Sequence, residues 1–274
     1  MQALPLVLSL LASIALTPLV LKALSEAGLE RENYRGRSLP VPLGVIVVPA
    51  ALAALVPIAL IGQFTEAEIY PDNFVLALLL VPGIALLGFV DDVLSGSGRG
   101  WRGHGKDLLG GAFSSGALKA VGTLGLALFV AGYIPGSDGE YLLAAAVIVL
   151  ATNAFNLLDL RPGRSVKAFV LLGLGLTIST QNLQAVAALG IFAAPLLVAG
   201  YYDLREQAML GDSGSNVLGA LAGLWIVLTL EVNGQLIALI LLLAINIFGE
   251  FRSISAVIEK LPGLRHLDSL GRPT

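Results

Sequence analysis

The feature that most constrains the fold is a series of long apolar stretches along the whole chain. Hydrophobic residues make up 56% of the 274 residues and charged residues 13%, whereas soluble domains carry roughly 25% charged residues. An apolar stretch of about 20 residues is long enough to cross a bilayer as a helix. The sequence therefore predicts an all-α polytopic membrane protein with about nine transmembrane helices, at 3–24, 41–62, 74–90, 107–131, 141–157, 166–180, 183–200, 215–230 and 235–251.

Charge alternates between the loops that connect these stretches. The loops at 63–73 and 132–140 contain acids and no base, whereas the intervening loops contain arginine or lysine. Because basic loops stay in the cytosol, this bias predicts an N-terminus outside and a C-terminus in the cytosol. The first stretch has neither a basic flank nor a clear cleavage site, so we interpret it as a span and not a signal peptide.

The predicted organisation is one transmembrane domain at 1–252 and a short amphipathic cytosolic tail at 253–274, which Pro262-Gly263 is expected to break. The net charge of −3 gives no indication of nucleic-acid binding. The chain contains no cysteine, which excludes disulfides, thiolate metal sites and a cysteine nucleophile. His104 and His266 are isolated in cytosolic segments and predict no metal site.

Three polar segments lie at the ends of apolar stretches. They are Gly88-Phe-Val-Asp-Asp92, Thr152-Asn-Ala-Phe-Asn-Leu-Leu-Asp159 and Met209-Leu-Gly-Asp-Ser-Gly-Ser-Asn216. Desolvating acids and amides at a bilayer edge is costly, so polar residues at such places indicate function. The charge bias places all three segments on the cytosolic face, where they are expected to form one site.

The first two segments suggest different uses of their side chains. Asp91 and Asp92 point about 100° apart on a helix, which favours separate roles, although a solvated helix end is the alternative. Asn153, Asn156 and Asp159 are spaced by three and share one helical face. This stripe indicates a pocket wall or, equally, hydrogen bonds between packed helices.

The third segment has the features of a metal site. Small residues flank Asp212, and Mg²⁺ commonly binds through one or two carboxylates plus substrate phosphates. The alternative is that Asp212 or Ser213 caps the eighth span.

Several bases share the cytosolic face. Lys106 opens the fourth span, and Lys119 lies about 20 Å deeper at 1.5 Å per residue. A lysine inside a span predicts a functional site, with snorkelling as the alternative. Arg161 and Arg164 are candidate phosphate ligands or simply determinants of topology. The acids could hold a cation, the bases could hold phosphates, and both lie at a bilayer. Together these features indicate phosphoryl transfer involving a lipid.

In order and spacing, the three segments resemble the polyprenyl-phosphate N-acetylhexosamine-1-phosphate transferases. That family includes the phospho-N-acetylmuramoyl-pentapeptide transferases and the N-acetylglucosamine-1-phosphate transferases. The first cytosolic loop, with Gly28-Leu-Glu-Arg-Glu-Asn33 and Pro40-Val-Pro-Leu-Gly44, is also similar, so the resemblance covers roughly residues 20–260.

The resemblance implies transfer of a sugar-1-phosphate from a UDP-N-acetylhexosamine to a polyprenyl phosphate, with release of UMP. It implies a multi-pass protein of the cell membrane, active at the cytosolic face in cell-wall or other glycan synthesis, with a homodimer as one option. Mg²⁺, with Mn²⁺ as an alternative, is expected at Asp212 and Asn156. The resemblance implies catalytic roles at Asp91, Asp92 and Lys106. Together with the bases Arg161, Arg164 and Lys119, it gives a predicted substrate-binding set of Asn153, Asn156, Asp159, Arg161, Arg164 and Lys119.

Several positions depart from the family pattern. Ser95 stands where the family often has Asp, Lys or Asn, and Pro162 replaces a second Gly-flanked Asp between Arg161 and Arg164. The His-rich loop is missing, apart from His266, and so is a tenth span. These departures leave a second hypothesis open, a catalytically reduced homologue that binds polyprenyl phosphate or nucleotide without transfer. A secondary transporter is less favoured, because the chain shows no repeat and no midplane polar cluster.

Overall fold

The computed structural model describes residues 1–94 and 114–273. Nine helices of 17 residues or more lie within this part of the chain, together with two short strands and two short C-terminal helices. The elements are α1 (Leu4–Glu26), β1 (Glu30–Glu32), β2 (Ser38–Pro40), a 3-10 turn (Leu43–Ile46), α2 (Val47–Phe64), α3 (Phe74–Leu94), α4 (Ser115–Ala131), α5 (Asp138–Leu158), α6 (Arg164–Thr180), α7 (Gln184–Leu204), α8 (Asp212–Thr229), α9 (Val232–Phe251), α10 (Ile254–Lys260) and α11 (Pro262–Ser269).

Within the described residues, six helical segments are long and apolar enough to cross a membrane: α1, the turn with α2, α3, α5, α7 and α9. The prediction of a helical protein suited to a membrane is thus confirmed at this level. The other long helices, α4, α6 and α8, coincide with predicted spans, although the part of span 107–131 before residue 114 lies outside the described residues. The number of spans and their orientation stay predictions.

Local sequence explains where two helices differ from the predicted spans. α5 begins at Asp138, three residues before the predicted span, because Ser137 and Glu140 form a capping box. α3 continues to Leu94 instead of ending at residue 90, so Asp91 and Asp92 belong to its last turn. Both carboxylates are therefore presented by a helix.

Helix α8 is the centre of the bundle. It is buried along nearly its whole length and packs against α3, α5 and α6. Gly219 and Gly223 face α5. A Cβ at Gly219 would overlap the backbone of Ala151 and Thr152, and a Cβ at Gly223 would overlap the backbone of Ile148. Small residues allow such close helix packing. In contrast to the buried α8, α9 packs mainly on α5 and leaves most of its apolar surface exposed.

A small β-hairpin interrupts the helices, which the sequence did not predict. β1 and β2 pair antiparallel with Arg31 opposite Leu39. The chain after β2 then pairs with the segment before α8: Met209 N donates to the Pro40 carbonyl, and Leu43 N donates to that of Met209, each at 2.9 Å. The first polar loop is therefore fixed to the segment that carries Asp212.

The C-terminal tail folds back onto the bundle. As expected, the tail helix breaks at Pro262: α10 ends at Lys260, and Pro262 begins a second helix, α11, since proline is well tolerated in a first helical turn. Asp268 accepts hydrogen bonds from Arg164 and Arg272, and Arg272 also donates to the Pro162 carbonyl at 2.8 Å. The tail is thus anchored to the connection between α5 and α6.

Candidate functional site

The three polar segments meet at one end of the bundle, which we call the polar end. Asp91 and Asp92 come from the last turn of α3, Asn156 from the last turn of α5, and Asp212 begins α8. These helices run up and down in turn, so the end of α3, the end of α5 and the start of α8 coincide. Gly88 lets α3 approach closely, because a Cβ there would overlap the backbone of Asp212 and Ser213.

Lys119 joins two of these segments. Its Nζ donates to Oδ2 of Asp91 and to Oδ2 of Asp212. Ser115, one turn earlier on α4, donates from its hydroxyl to the other Asp91 oxygen at 2.6 Å. The expectation that Lys119 lies near the middle of a span is wrong, because α4 begins at Ser115 after the Ser114 cap. The lysine therefore lies in the second turn of α4, beside the acids.

Asp92 has a different environment from Asp91, as expected for neighbours on a helix. Its carboxylate accepts from the backbone N–H groups of Asp212 at 3.0 Å and Ser213 at 2.9 Å. These are donors that the first turn of a helix leaves unpaired, and a negative charge is favourable there. The cap of α8 is thus supplied by Asp92 and not by the side chain of Asp212 or Ser213. Arg31 of the hairpin donates to the Asp92 carbonyl at 3.0 Å.

The two asparagines of the second segment have different hydrogen-bond partners. Asn156 donates from Nδ2 to Asp212 Oδ2 at 3.3 Å, so it belongs to the cluster. Asn153 is exposed to solvent or lipid and instead donates to Asn246 of α9. That contact matches the alternative interpretation of the stripe, a hydrogen bond between packed helices.

Asp159 caps the end of α5 and accepts from the Ser165 hydroxyl at 2.6 Å. Burial raises the pKa of this carboxyl well above its usual range, and the negative charges of Asp203, Asp212 and Asp92 raise it further against the hydrogen bond from Ser165. Asp159 makes no described hydrogen bond to Lys119.

Arg161 and Arg164 contact the tail and not the acidic cluster. Arg164 is 6% exposed and binds both oxygens of Asp268, at 2.8 and 3.0 Å. Arg161 pairs with Glu259 at 3.2 Å and lies over the Tyr34 ring at 4.3 Å. Lys106, the remaining predicted site residue, lies outside the described residues.

The contact with Arg164 governs the titration of Asp268. Burial alone would raise its pKa, but the hydrogen bonds and charges of Arg164 and Arg272 outweigh that effect and lower the pKa to about 2. The carboxylate that anchors the tail is therefore ionised at neutral pH.

Four residues of the polar end were not predicted: Ser115, Arg31, Asp203 and Glu206. Asp203 and Glu206 are buried acids in and after the last turn of α7. Asp203 accepts from two backbone N–H groups, and Glu206 accepts from Tyr34 at 3.1 Å and pairs with arginines of the hairpin. The signal that identified the other segments, acids at the end of an apolar stretch, is present here too.

The cluster has donors that suit a hard divalent cation. Among the described residues no three His, Cys, Asp or Glu side chains form a metal cluster. Asp91, Asp212 and Asn156 nevertheless offer two carboxylates and an amide, and Mg²⁺ often takes only one or two protein carboxylates, the rest being water and phosphate. One cationic group, the Lys119 ammonium, already contacts both carboxylates. The donor set therefore fits Mg²⁺ bound together with a phosphate.

No protein-family model matches the chain, and no curated protein matches it significantly. The fold and the site define a general class, a helical protein suited to a membrane with acids and a lysine gathered at one end. The resemblance of the three polar segments to the sugar-1-phosphate transferases stays a prediction.

Proposed function

We propose that this protein is a Mg²⁺-dependent transferase that moves a sugar-1-phosphate from a UDP-N-acetylhexosamine to a polyprenyl phosphate and releases UMP. The observation that carries the proposal is the contact of Lys119 with both Asp91 and Asp212. It brings together acids from two separate motifs beside a cation. In this proposal the protein lies in the cell membrane with its polar end in the cytosol.

The charges of the cluster support a requirement for a divalent cation. Within the described residues, the carboxylates of Asp91 and Asp212 contact the Lys119 ammonium, the Asp92 carboxylate lies beside them, and Arg31 donates to the backbone carbonyl of Asp92. Both proposed substrates are anions, which carboxylates repel. A divalent cation between carboxylate and phosphate offsets that repulsion, which is how phosphoryl-transfer sites commonly stabilise their substrates.

In the proposed reaction, an oxygen of the lipid phosphate attacks the β-phosphorus of the UDP-sugar. A new P–O bond forms, the bond from the β-phosphorus to the bridging oxygen breaks, and UMP leaves with that oxygen. Asp91 orients the lipid phosphate or accepts its remaining proton, and Lys119 offsets negative charge beside it. Asp212 and Asn156 would hold Mg²⁺, which supplies charge neutralisation when bound.

The remaining residues of the cluster support this geometry. Asp92 holds the start of α8 through two backbone N–H groups and so fixes Asp212 next to Asp91. Ser115 fixes the Asp91 carboxylate from the other side. Preorganised groups of this kind are effective because they need no rearrangement when charge develops.

The test is a measurement of UMP release. Purified protein is incubated with undecaprenyl phosphate, Mg²⁺ and a panel of UDP-N-acetylhexosamines. Release with one donor that disappears in Asp212→Asn supports the proposal. The matched control is Asp138→Asn, which removes an exposed carboxylate from the first turn of α5, at the opposite end of the bundle. Absence of release with every donor would refute transferase activity.

A second candidate is a homologue that binds the lipid or nucleotide without transfer. The observation that favours it is the engagement of Arg161 and Arg164 with the tail, since two predicted anion ligands already have carboxylate partners. Saturable binding of undecaprenyl phosphate without UMP release would support this candidate over the first.

A further inference from the structure

Asp203 connects two backbone segments that carry site residues. It lies in the last turn of α7 and is 4% exposed. One carboxylate oxygen accepts from Gly163 N at 2.6 Å, and the other accepts from Leu210 N at 3.3 Å. Gly163 follows Asp159 by four residues, and Leu210 precedes Asp212 by two.

Each of the two segments also packs closely against a further part of the fold. Gly163 has a positive φ of 70° and packs so tightly on Leu204 that a Cβ would overlap that side chain. On the other side, the carbonyl of Leu210 accepts from Gly44 N at 2.9 Å. A shift at Leu210 would therefore move the hairpin connection as well as the start of α8.

A carboxylate suits this position better than any neutral side chain. It offers two acceptor oxygens, whereas asparagine offers one acceptor and directs an NH₂ donor at the second N–H. Backbone N–H groups left unpaired in a buried place are costly, so replacing Asp203 releases one segment or both.

We propose that Asp203 is a positioning residue, which sets the spacing between the Asp159 segment and the Asp212 segment. This inference rests on the proposed function for its catalytic meaning, because Asp203 contacts neither Lys119 nor Asp91 in the described contacts. Its effect on the reaction is indirect: it holds Asp212 beside Asn156, and these are the two residues that would hold Mg²⁺.

The first measurement is hydrogen–deuterium exchange of the full chain in detergent, read by mass spectrometry over 158–168 and 205–214. Asp203→Ala is expected to speed exchange at both Gly163 and Leu210 by about tenfold or more, the usual effect of losing a buried hydrogen bond. Asp203→Asn is expected to release one of the two amides and protect the other, because it keeps one acceptor.

The matched control is Glu206→Gln, which alters an equally buried acid three residues later. Glu206 pairs with Arg35 and Arg37 and accepts from Tyr34, so it holds the hairpin. This variant is expected to speed exchange at 33–37 and to leave Gly163 protected. If Glu206→Gln released Gly163 as strongly as Asp203→Ala, the specific role of Asp203 would be overturned.

The second measurement separates positioning from general stability. In the UMP-release assay, Asp203→Ala is expected to raise the Mg²⁺ concentration for half-maximal rate about tenfold, with partial recovery in Asp203→Asn. Faster exchange with an unchanged Mg²⁺ requirement would reduce Asp203 to a structural role and overturn the proposal. If the wild-type protein releases no UMP, the proposed function fails, and the exchange pattern alone decides whether Asp203 holds the two segments.

Discussion

Replacing Lys119 by methionine is the most informative perturbation of the site. Methionine keeps most of the length and apolar character of the lysine stem and removes only the ammonium group. In the wild-type protein that group contacts Asp91 and Asp212 together. The variant therefore leaves two neighbouring carboxylates, with Asp92 close by, without their shared counter-charge.

The expected loss of stability in Lys119→Met follows from the partial burial of the three side chains. The exposed fractions are 19% for Lys119, 9% for Asp91 and 28% for Asp212. Breaking a fully buried ion pair costs about 3–5 kcal/mol, whereas an exposed pair contributes about 0–1 kcal/mol. Two pairs in an intermediate environment give an expected loss of about 3 kcal/mol in the free energy of unfolding. At about 2–4 °C per kcal/mol, the melting temperature should fall by roughly 6–12 °C.

The assay is thermal unfolding in detergent, followed by tryptophan fluorescence, with EDTA or with Mg²⁺ at matched ionic strength. Mg²⁺ is expected to restore most of the lost stability in Lys119→Met, because a divalent cation can take the place of the ammonium beside the carboxylates. A ligand at 100 times its Kd stabilises by about 2.7 kcal/mol. In the wild-type protein the ion has to compete with Lys119, so its stabilisation is expected to be smaller.

Lys22→Met is the matched control. Lys22 forms a pair with Glu26 on the surface of α1, where both side chains are mostly exposed, so its loss should change the melting temperature little. If Lys119→Met melted like the wild-type protein in EDTA, the ion pairs would not be stabilising. If Mg²⁺ stabilised the variant no more than the wild-type protein, the proposal that Asp212 belongs to a cation site beside Asp91 would be refuted.

Three further predictions concern the contacts around the site. Gly88→Ala should lower the free energy of unfolding by about 1–3 kcal/mol and abolish UMP release, since the new Cβ would overlap the start of α8. The control is Gly125→Ala, where the new Cβ has open space, and calorimetry or a thermal scan should find it neutral or stabilising. In the folded protein Asp268 has a pKa of about 2, below the usual 3.8, so its contribution to tail docking is complete above about pH 4 and is lost as the pH falls toward 2. Proteolysis of the tail should increase over the same pH range, and Asp268→Asn should remove this pH dependence. Arg161→Ala should change stability by less than about 1 kcal/mol, and a raised KM for the UDP-sugar would show that Arg161 also binds substrate.

The sequence predicted the helices and the meeting of the three polar segments well, for physical reasons. Apolar stretches of membrane-spanning length have few alternatives to helix, because backbone groups need internal partners in lipid. Once helices alternate in direction, segments such as Gly88–Asp92 and Met209–Asn216 have to lie at the same end. The convergence of Asp91 with Asp212 follows from this alternation.

The individual side-chain partners were not predictable from the sequence. The spacing of Asn153, Asn156 and Asp159 gives a common face, but it does not say which neighbouring helix that face meets at each level. Asn153 meets Asn246 of α9, whereas Asn156 meets Asp212 of α8. The position of Lys119 depended on where α4 begins, and Ser114, which caps it, has no distinctive pattern in an otherwise small and apolar segment.

The segment after Asp159 departs from the motif that it resembles, and it also docks the C-terminal tail. Its distinctive residues are Arg161, Pro162 and Arg164, and each of them contacts the tail through its side chain or carbonyl. The hypothesis that Arg161 and Arg164 bind substrate phosphates therefore competes with a structural explanation, in which they hold Glu259 and Asp268. Because the Asp91, Lys119 and Asp212 contacts are made without the tail, divergence in this segment is compatible with the proposed transferase site. In that proposal, a change in substrate choice would come from the connection between α5 and α6, and the reaction would depend on the cluster around Lys119.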